Sequence, residues 1–248
     1  MHKDNELQFG LTIPQGWRGG DLPLEEENNP LKQYKFSKSV AVIADKLGFD
    51  SIYAYDHFIP FYSGDVNKNI FECFTLLSAI SAVTTKIKIG QIVACNSYRN
   101  PALLAKMIST LDVISNGRVE LGIGAGWYEQ EFKAYGYDFP SNVTRIKQLD
   151  ESLRIIKAMW TEKKKASFEG KYYTIKDAIC NPKPIQKPHP LIMVGGLDEK
   201  YLLKVVAKHA DRYNLFFGSP GIRHFILHFI GLNDAVLRLF DSKVIRMI

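Results

Sequence analysis

The strongest constraint on this chain is a rhythm. Short apolar runs alternate with helix-length runs along most of its 248 residues. Residues 8–13, 51–55, 87–93, 117–123, 191–194 and 212–217 read as strands. Residues 36–47, 71–83, 101–114, 143–160 and 200–209 carry helical periodicity between them. Strands that are apolar throughout belong to a parallel sheet covered on both faces, because neither face can be left to water. Repeated β-α units of this kind form a barrel or a doubly wound sheet. Local chemistry marks the boundaries. Gly48 stands where the first helix needs a left-handed stop. Asn100-Pro101 supplies a cap and then a proline at the first helical position. Residues 14–30, rich in Gly, Pro and Asn, read as a long loop. Residues 161–190 break the rhythm with a hairpin at 167–175 and a proline-rich run from Pro182 to Pro190.

The far end also departs from the pattern. Residues 218–223 alone separate the strand at 212–217 from the apolar run at 225–230. A parallel crossover takes about a dozen residues or more, usually with a helix. Six extended residues reach roughly 20 Å, little more than the ~17 Å length of a strand. Residues 225–230 are therefore expected to be antiparallel, helical or attached in an unusual way. Residues 234–240 are expected to form a helix.

Composition narrows the function classes. At 46% hydrophobic and 23% charged, the chain is ordinary for a soluble globular protein. Its length fits one domain over 1–248 with an insertion at about 161–190. The net charge of +6 comes from dispersed Lys and Arg, densest at Lys163-Lys164-Lys165. That excess favours anionic ligands but has no nucleic-acid module around it. Cys73, Cys95 and Cys180 lie too far apart for a C-x-x-C zinc site or a disulfide framework. No run approaches the roughly 20 apolar residues of a membrane span. The polar start is not a signal peptide, so a cytoplasmic protein with a small-molecule partner is expected.

Chemistry concentrates in one stretch, Gly117 to Phe132, which reads GRVELGIGAGWYEQEF. A strand runs into Gly124-Ala125-Gly126 and then into a polar, helix-competent run. Alternate glycines let a backbone pass close to a ligand, and a following helix would aim free N–H groups at an anion. G-x-G-x-G is not the dinucleotide fingerprint, so a plain tight turn explains it as well. Asp56-His57 after the second strand and Gly195-Gly196 after the fifth stand at the equivalent strand ends, where barrels carry their chemistry. Asp56 either lines a ligand pocket or caps a turn, and His57 either relays a proton or packs. Trp127 is either a ring contact or a core anchor. Glu129 and Glu131 fit a nearby acid or a solvated helix face. His224 and His228 are four apart, but without an accompanying carboxylate they read as packing residues rather than a metal site.

Several segments together resemble the bacterial luciferase-like superfamily, most closely its branch dependent on the deazaflavin coenzyme F420. They are Asp56-His57, then Asn96-Ser97-Tyr98-Arg99-Asn100-Pro101, then Leu111-Asp112 with Ser115-Asn116-Gly117-Arg118, and the stretch through Gly136. Downstream come Phe168-Glu169-Gly170-Lys171-Tyr172-Tyr173, Pro182-Lys183-Pro184, Pro188-His189-Pro190 and Val194-Gly195-Gly196. The resemblance covers roughly residues 8–217. It implies a TIM-barrel-like (β/α)8 α/β fold, here lacking one β-α unit near the C-terminus. It implies an oxidoreductase that passes hydride between F420 and a small organic substrate. The alternatives are an FMN-dependent monooxygenase and a non-catalytic flavin-binding protein. His57 and Asp56 are the implied catalytic pair. Gln91, Ile92, Gly124, Ala125, Gly126, Trp127, Gly195 and Gly196 are the implied cofactor contacts, the last two holding a phosphate. A non-prolyl cis peptide is implied near Gln91–Val93 and placed at Gln91-Ile92. A homodimer is implied, and no metal.

Overall fold

The computed structural model describes residues 8–16, 29–60, 65–215 and the backbone of 224–227. In chain order the elements are β1 Gln8–Thr12, α1 Pro30–Leu47, β2 Ser51–Ala54, α2 Cys73–Ser81, β3 Lys88–Gln91 and β4 Ala94–Cys95. They continue with α3 Pro101–Ile114, β5 Val119–Gly124, α4 Glu129–Ala134, α5 Asn142–Thr161, β6 Ala166–Glu169 and β7 Thr174–Ala178. The last are β8 Leu191–Gly195, α6 Leu202–His209, β9 Arg212–Asn214 and β10 His224–Leu227. Contacts divide the chain into two compact units, 1–90 with 218–248, and 91–217.

In the first unit β1 pairs in parallel with β2, with Leu11 opposite Ile52. Leu11, Ile52, Tyr53 and Ala54 are fully buried, as an all-apolar parallel strand requires. β10 also pairs with β1 and is parallel, with Leu11 opposite Leu227. For the described part of 225–230 this excludes the antiparallel and helical alternatives and leaves the third, a strand attached in an unusual way. A short connection restricts only a return to the strand just before it, whereas β10 lies beside β1 and takes its direction from there. His224 therefore sits on a strand, where four-residue helical spacing to His228 has no meaning. His228 and the helix expected at 234–240 lie outside the described residues.

α1 begins at Pro30, six residues before the expected start at 36. Asn29 accepts from the Lys32 amide at 3.0 Å, and Pro30 takes the first helical position. This is the Asn-Pro signal that correctly starts α3 at Pro101. Gly48 ends α1 in the left-handed region at φ 84°. Asp45, on α1, accepts the amides of Thr85, Lys86 and Ile87 at 2.7, 2.9 and 2.7 Å. Partial burial raises its pKa, but these bonds outweigh it and hold the carboxyl below its ordinary 3.8. A depressed pKa contributes stability above 3.8 and loses it as pH falls through the folded value. Asp45→Asn should lower the melting temperature near neutral pH and make progressively less difference as pH falls below 3.8, read from melting curves across pH.

In the second unit β5 is buried at all six positions and pairs in parallel with β8, Gly122 opposite Met193 and Gly124 opposite Gly195. β9 continues the sheet on β8 and β4 lies on β5, both parallel. Glu120, buried on β5, meets Arg212 of β9 at 3.1 Å. Helices α3 and α5 pack together, and Trp160 donates its indole N–H to the Ala105 carbonyl at 3.0 Å. The break at 161–190 is the expected hairpin, β6 antiparallel to β7. Its turn hangs on Glu151, which accepts the amides of Lys171, Tyr172 and Tyr173.

Candidate functional site

The first unit contributes the residues just beyond β1 and β2. Gln15 is fully buried and laces three segments together. Its Nε2 donates to the carbonyls of Tyr55 and Phe71 at 2.9 and 3.1 Å, and its Oε1 accepts the Tyr55 amide at 2.6 Å. This fixes the backbone entering Asp56-His57. Asp56 is 3% exposed and His57 half-buried. Nothing in the sequence pattern marked Gln15. A buried carboxamide that bonds three backbone groups shows only when the strand ends are placed together.

The second unit carries the bulge between β3 and β4. Its non-prolyl cis peptide is Ile92–Val93, one residue beyond the expected Gln91-Ile92. Gln91 still belongs to β3 and Ala94 already belongs to β4, so the irregular link falls between them. Val93 then packs its methyls against two strand ends. A Cβ on Gly124 would lie 2.9 Å from Val93 Cγ2, and one on Gly195 would lie 2.9 Å from Cγ1. At Gly126, with φ 80°, a Cβ would meet Cys95 Sγ at 2.6 Å and Phe132 Cζ at 2.8 Å. The chain's own side chains thus account for these glycines.

The turn after β8 is also occupied. The Gly196 amide reaches the Asn214 carbonyl at 3.5 Å, and Tyr213 Oη donates to the Gly196 carbonyl at 2.8 Å. Asp198 closes the turn that leads into α6, accepting the Tyr201 amide at 2.6 Å and the Leu202 amide at 3.3 Å. The Tyr201 amide is the main reason that the Asp198 carboxyl stays below its ordinary range. The anion-favouring end of α6 therefore already holds a carboxylate.

The loop after β5 is organised by a residue that the sequence did not single out. Arg145, buried on α5, donates Nε to the Gly126 carbonyl at 3.2 Å and Nη1 to the Pro140 carbonyl. Its guanidinium lies 4.0 Å from the centre of the Phe139 ring. Burial lowers its pKa from the ordinary arginine value, against the opposing pull of Cys95 and Glu129. Glu131 is fully buried and accepts from Tyr98 Oη at 2.5 Å, so it is not on a solvated helix face. Glu129 is, and pairs with Lys133 at 2.8 Å. Trp127 is 62% exposed and stacks obliquely on Tyr128, which rules out a core anchor.

Buried polar atoms with no hydrogen-bond partner among the described residues fall in one segment, apart from Ser152 Oγ on α5. They are Gln91 Oε1 and Nε2, Asn96 Oδ1 and Ser97 Oγ. Buried polar groups are nearly always paired. A planar heterocycle bearing ring N–H and C=O groups fits such a donor and acceptor set. Among the described residues no group of three or more His, Cys, Asp or Glu could hold a metal, and no helix is long and apolar enough to cross a membrane.

The pattern of the luciferase-like monooxygenase family matches residues 9–224. The chain is 32% identical over 190 residues to an FMNH2-dependent dimethylsulfone monooxygenase of Pseudomonas putida, covering 77% of this chain and 51% of that protein. It is 33% identical over 173 residues to an F420-dependent glucose-6-phosphate dehydrogenase of Amycolatopsis mediterranei, covering 69% and 49%. The structure of an F420-dependent secondary alcohol dehydrogenase, solved with an F420-acetone adduct, superposes with a TM-score of 0.70 at 25% identity, covering 84% and 57%. The chain spans about half the length of these two curated relatives. Its β-α units are those of a TIM-barrel-like fold. The chain belongs to the luciferase-like monooxygenase family.

Proposed function

We propose that the chain binds coenzyme F420 and serves an oxidoreductase that passes hydride to or from a small organic substrate. The observation that carries this reading is the segment 91–97, where buried polar atoms flank a non-prolyl cis peptide. The similarity to F420-dependent dehydrogenases supports it. When bound, the deazaflavin supplies a two-electron hydride carrier at C5. The residues supply everything else. Gln91, Ile92, Gly124, Ala125, Gly126 and Trp127 contact the ring system and keep water from it. His57 holds or delivers the proton that accompanies hydride, and Asp56 lines the same pocket. Gly195 and Gly196 are the backbone seat for the phosphate, with Asp198 as the competing anion. The protein acts in the cytoplasm as a homodimer on a small molecule.

The second reading is an FMN-dependent monooxygenase, favoured by the similarity to the dimethylsulfone enzyme. Separate titrations of the purified protein with F420 and with FMN, followed by absorbance and fluorescence, distinguish the two. F420 binding in the micromolar range or tighter is expected. Tight FMN binding with no F420 binding overturns the first reading in favour of the second. Binding without turnover, against every hydride donor and acceptor offered, turns it into a non-catalytic carrier.

A further inference from the structure

We infer that the Gln91 carboxamide reads the imide edge of the cofactor's ring system, at a cost to the stability of the unliganded chain. This rests on the proposed binding of a flavin or deazaflavin. Gln91 is 0% exposed at the end of β3, and both its amide atoms lack a partner among the described residues. An unpaired buried amide destabilises a folded protein, so it persists where something other than folding retains it. Its backbone is held tightly against the neighbouring strand. The Gln91 carbonyl sits against Gly122 so closely that a Cβ there would lie 1.9 Å from it. The next peptide is fixed by Val93 between Gly124 and Gly195.

The chemistry of the ligand follows from the atoms left over. A carboxamide offers an acceptor and two donors side by side. Asn96 Oδ1 adds an acceptor, since its Nδ2 already donates to Tyr173 Oη at 3.3 Å. Ser97 Oγ serves either way. A carboxylate or phosphate would leave the acceptors unmatched, and a hydrocarbon would leave every atom unmatched. A neutral group with adjacent donor and acceptor satisfies them. The imide edge of a flavin or deazaflavin presents C=O, N–H and C=O in a row, and a carboxamide forms two hydrogen bonds with half of it.

Gln91→Met tests this, because methionine keeps the length and flexibility of the side chain without its polar atoms. The unliganded variant should melt roughly 2–4 °C above the wild type, since an unpaired buried amide has been removed. The probes are FMN and F420, whichever the wild type binds, each with its N3-methylated form, which lacks the imide donor. The wild type should bind the methylated form about tenfold more weakly. Gln91→Met should bind the parent compound about tenfold more weakly and be indifferent to methylation. A melting temperature below the wild type shows that the amide has a partner in the folded chain and overturns the inference without reference to any cofactor. Unchanged affinity in Gln91→Met, or an equal penalty for methylation in both proteins, overturns the imide assignment while leaving the functional reading intact. Failure of the wild type to bind either parent compound overturns both, and the wild-type titration alone reveals it.

Discussion

Replacing Gly122 with alanine is expected to remove a large part of the protein's stability. The added Cβ would lie 1.9 Å from the Gln91 carbonyl oxygen and 3.0 Å from its carbon. Both are backbone atoms, so no change of rotamer relieves the clash. Gly122 and its β8 partner Met193 are held in register, and β5 is buried at every position, so the strand cannot tilt away. Relief means separating β5 from the end of β3, which removes sheet hydrogen bonds and core contacts together. A cost above about 4 kcal/mol is expected, a large part of the roughly 5–15 kcal/mol that holds a domain folded. Gly48→Ala is the comparison. Gly48 has a left-handed φ of 84°, yet nothing lies within 4 Å of its missing Cβ. It should cost only about 1–2 kcal/mol, the backbone penalty alone. Urea unfolding of the two variants beside the wild type measures the difference. A Gly122→Ala protein as stable as Gly48→Ala would show that the end of β3 yields, and would undo the argument that Gln91 is locked in place.

These two glycines illustrate which parts of the fold were legible. Gly48 was readable because a helix stop is a local property of the chain. The same holds for Asn100-Pro101, which placed the start of α3 correctly. Asn29-Pro30 carries the same signal but lies among glycines and asparagines that read as loop, so α1 begins at Pro30 where periodicity alone predicts 36. Gly122 gave no such hint, since its need arises from a residue 31 positions earlier, Gln91. The direction of β10 is likewise non-local. It follows from β1, at the opposite end of the chain.

The site divides along the same line. The turns after β2, β5 and β8 were legible as strand ends, and the β3–β4 bulge through resemblance. The reason for the glycines was not, because Val93, Cys95 and Phe132 reach them from other segments. The cis peptide lies one residue beyond the expected position, because the sequence does not say where β3 stops pairing. Glu131 looked like a solvated residue of a polar run, and only the nearness of Tyr98 makes it an internal acceptor. Arg145 has no local signature, since its bonds go to carbonyls that any residue supplies.

Asp112 is the other position where one side chain sustains much of the second unit, and Asp112→Ala should cost about 3–5 kcal/mol. It is fully buried on α3, where an unpaired carboxylate would be prohibitive. Among the described residues, the carboxylate's partners come from the proline-rich run. Oδ2 accepts the Ile185 amide at 2.7 Å and the Gln186 amide at 3.1 Å, while Oδ1 accepts Gln186 Nε2 at 2.7 Å. The same Nε2 donates to the Val119 carbonyl at 2.7 Å, so the anchor extends to the first residue of β5. Hydrogen bonds to a charged group are worth about 1.5–3 kcal/mol each, and removing the acceptor strands two backbone amides as well. Asp112→Asn should lose most of the same stability, because its NH2 group faces a donor. Lys106 and Ser109 also donate to the run, at Asn181 and Pro182, so the damage should centre on 183–187 rather than detach the whole insertion. Limited proteolysis should then cut Asp112→Ala within that stretch under conditions where the wild type resists. A double-mutant cycle with Gln186→Ala should show coupling of about 0.5–3 kcal/mol. A loss below 1 kcal/mol with no new cleavage would mean that the prolines hold their path unaided, and that the buried carboxylate is retained for some purpose other than anchoring them.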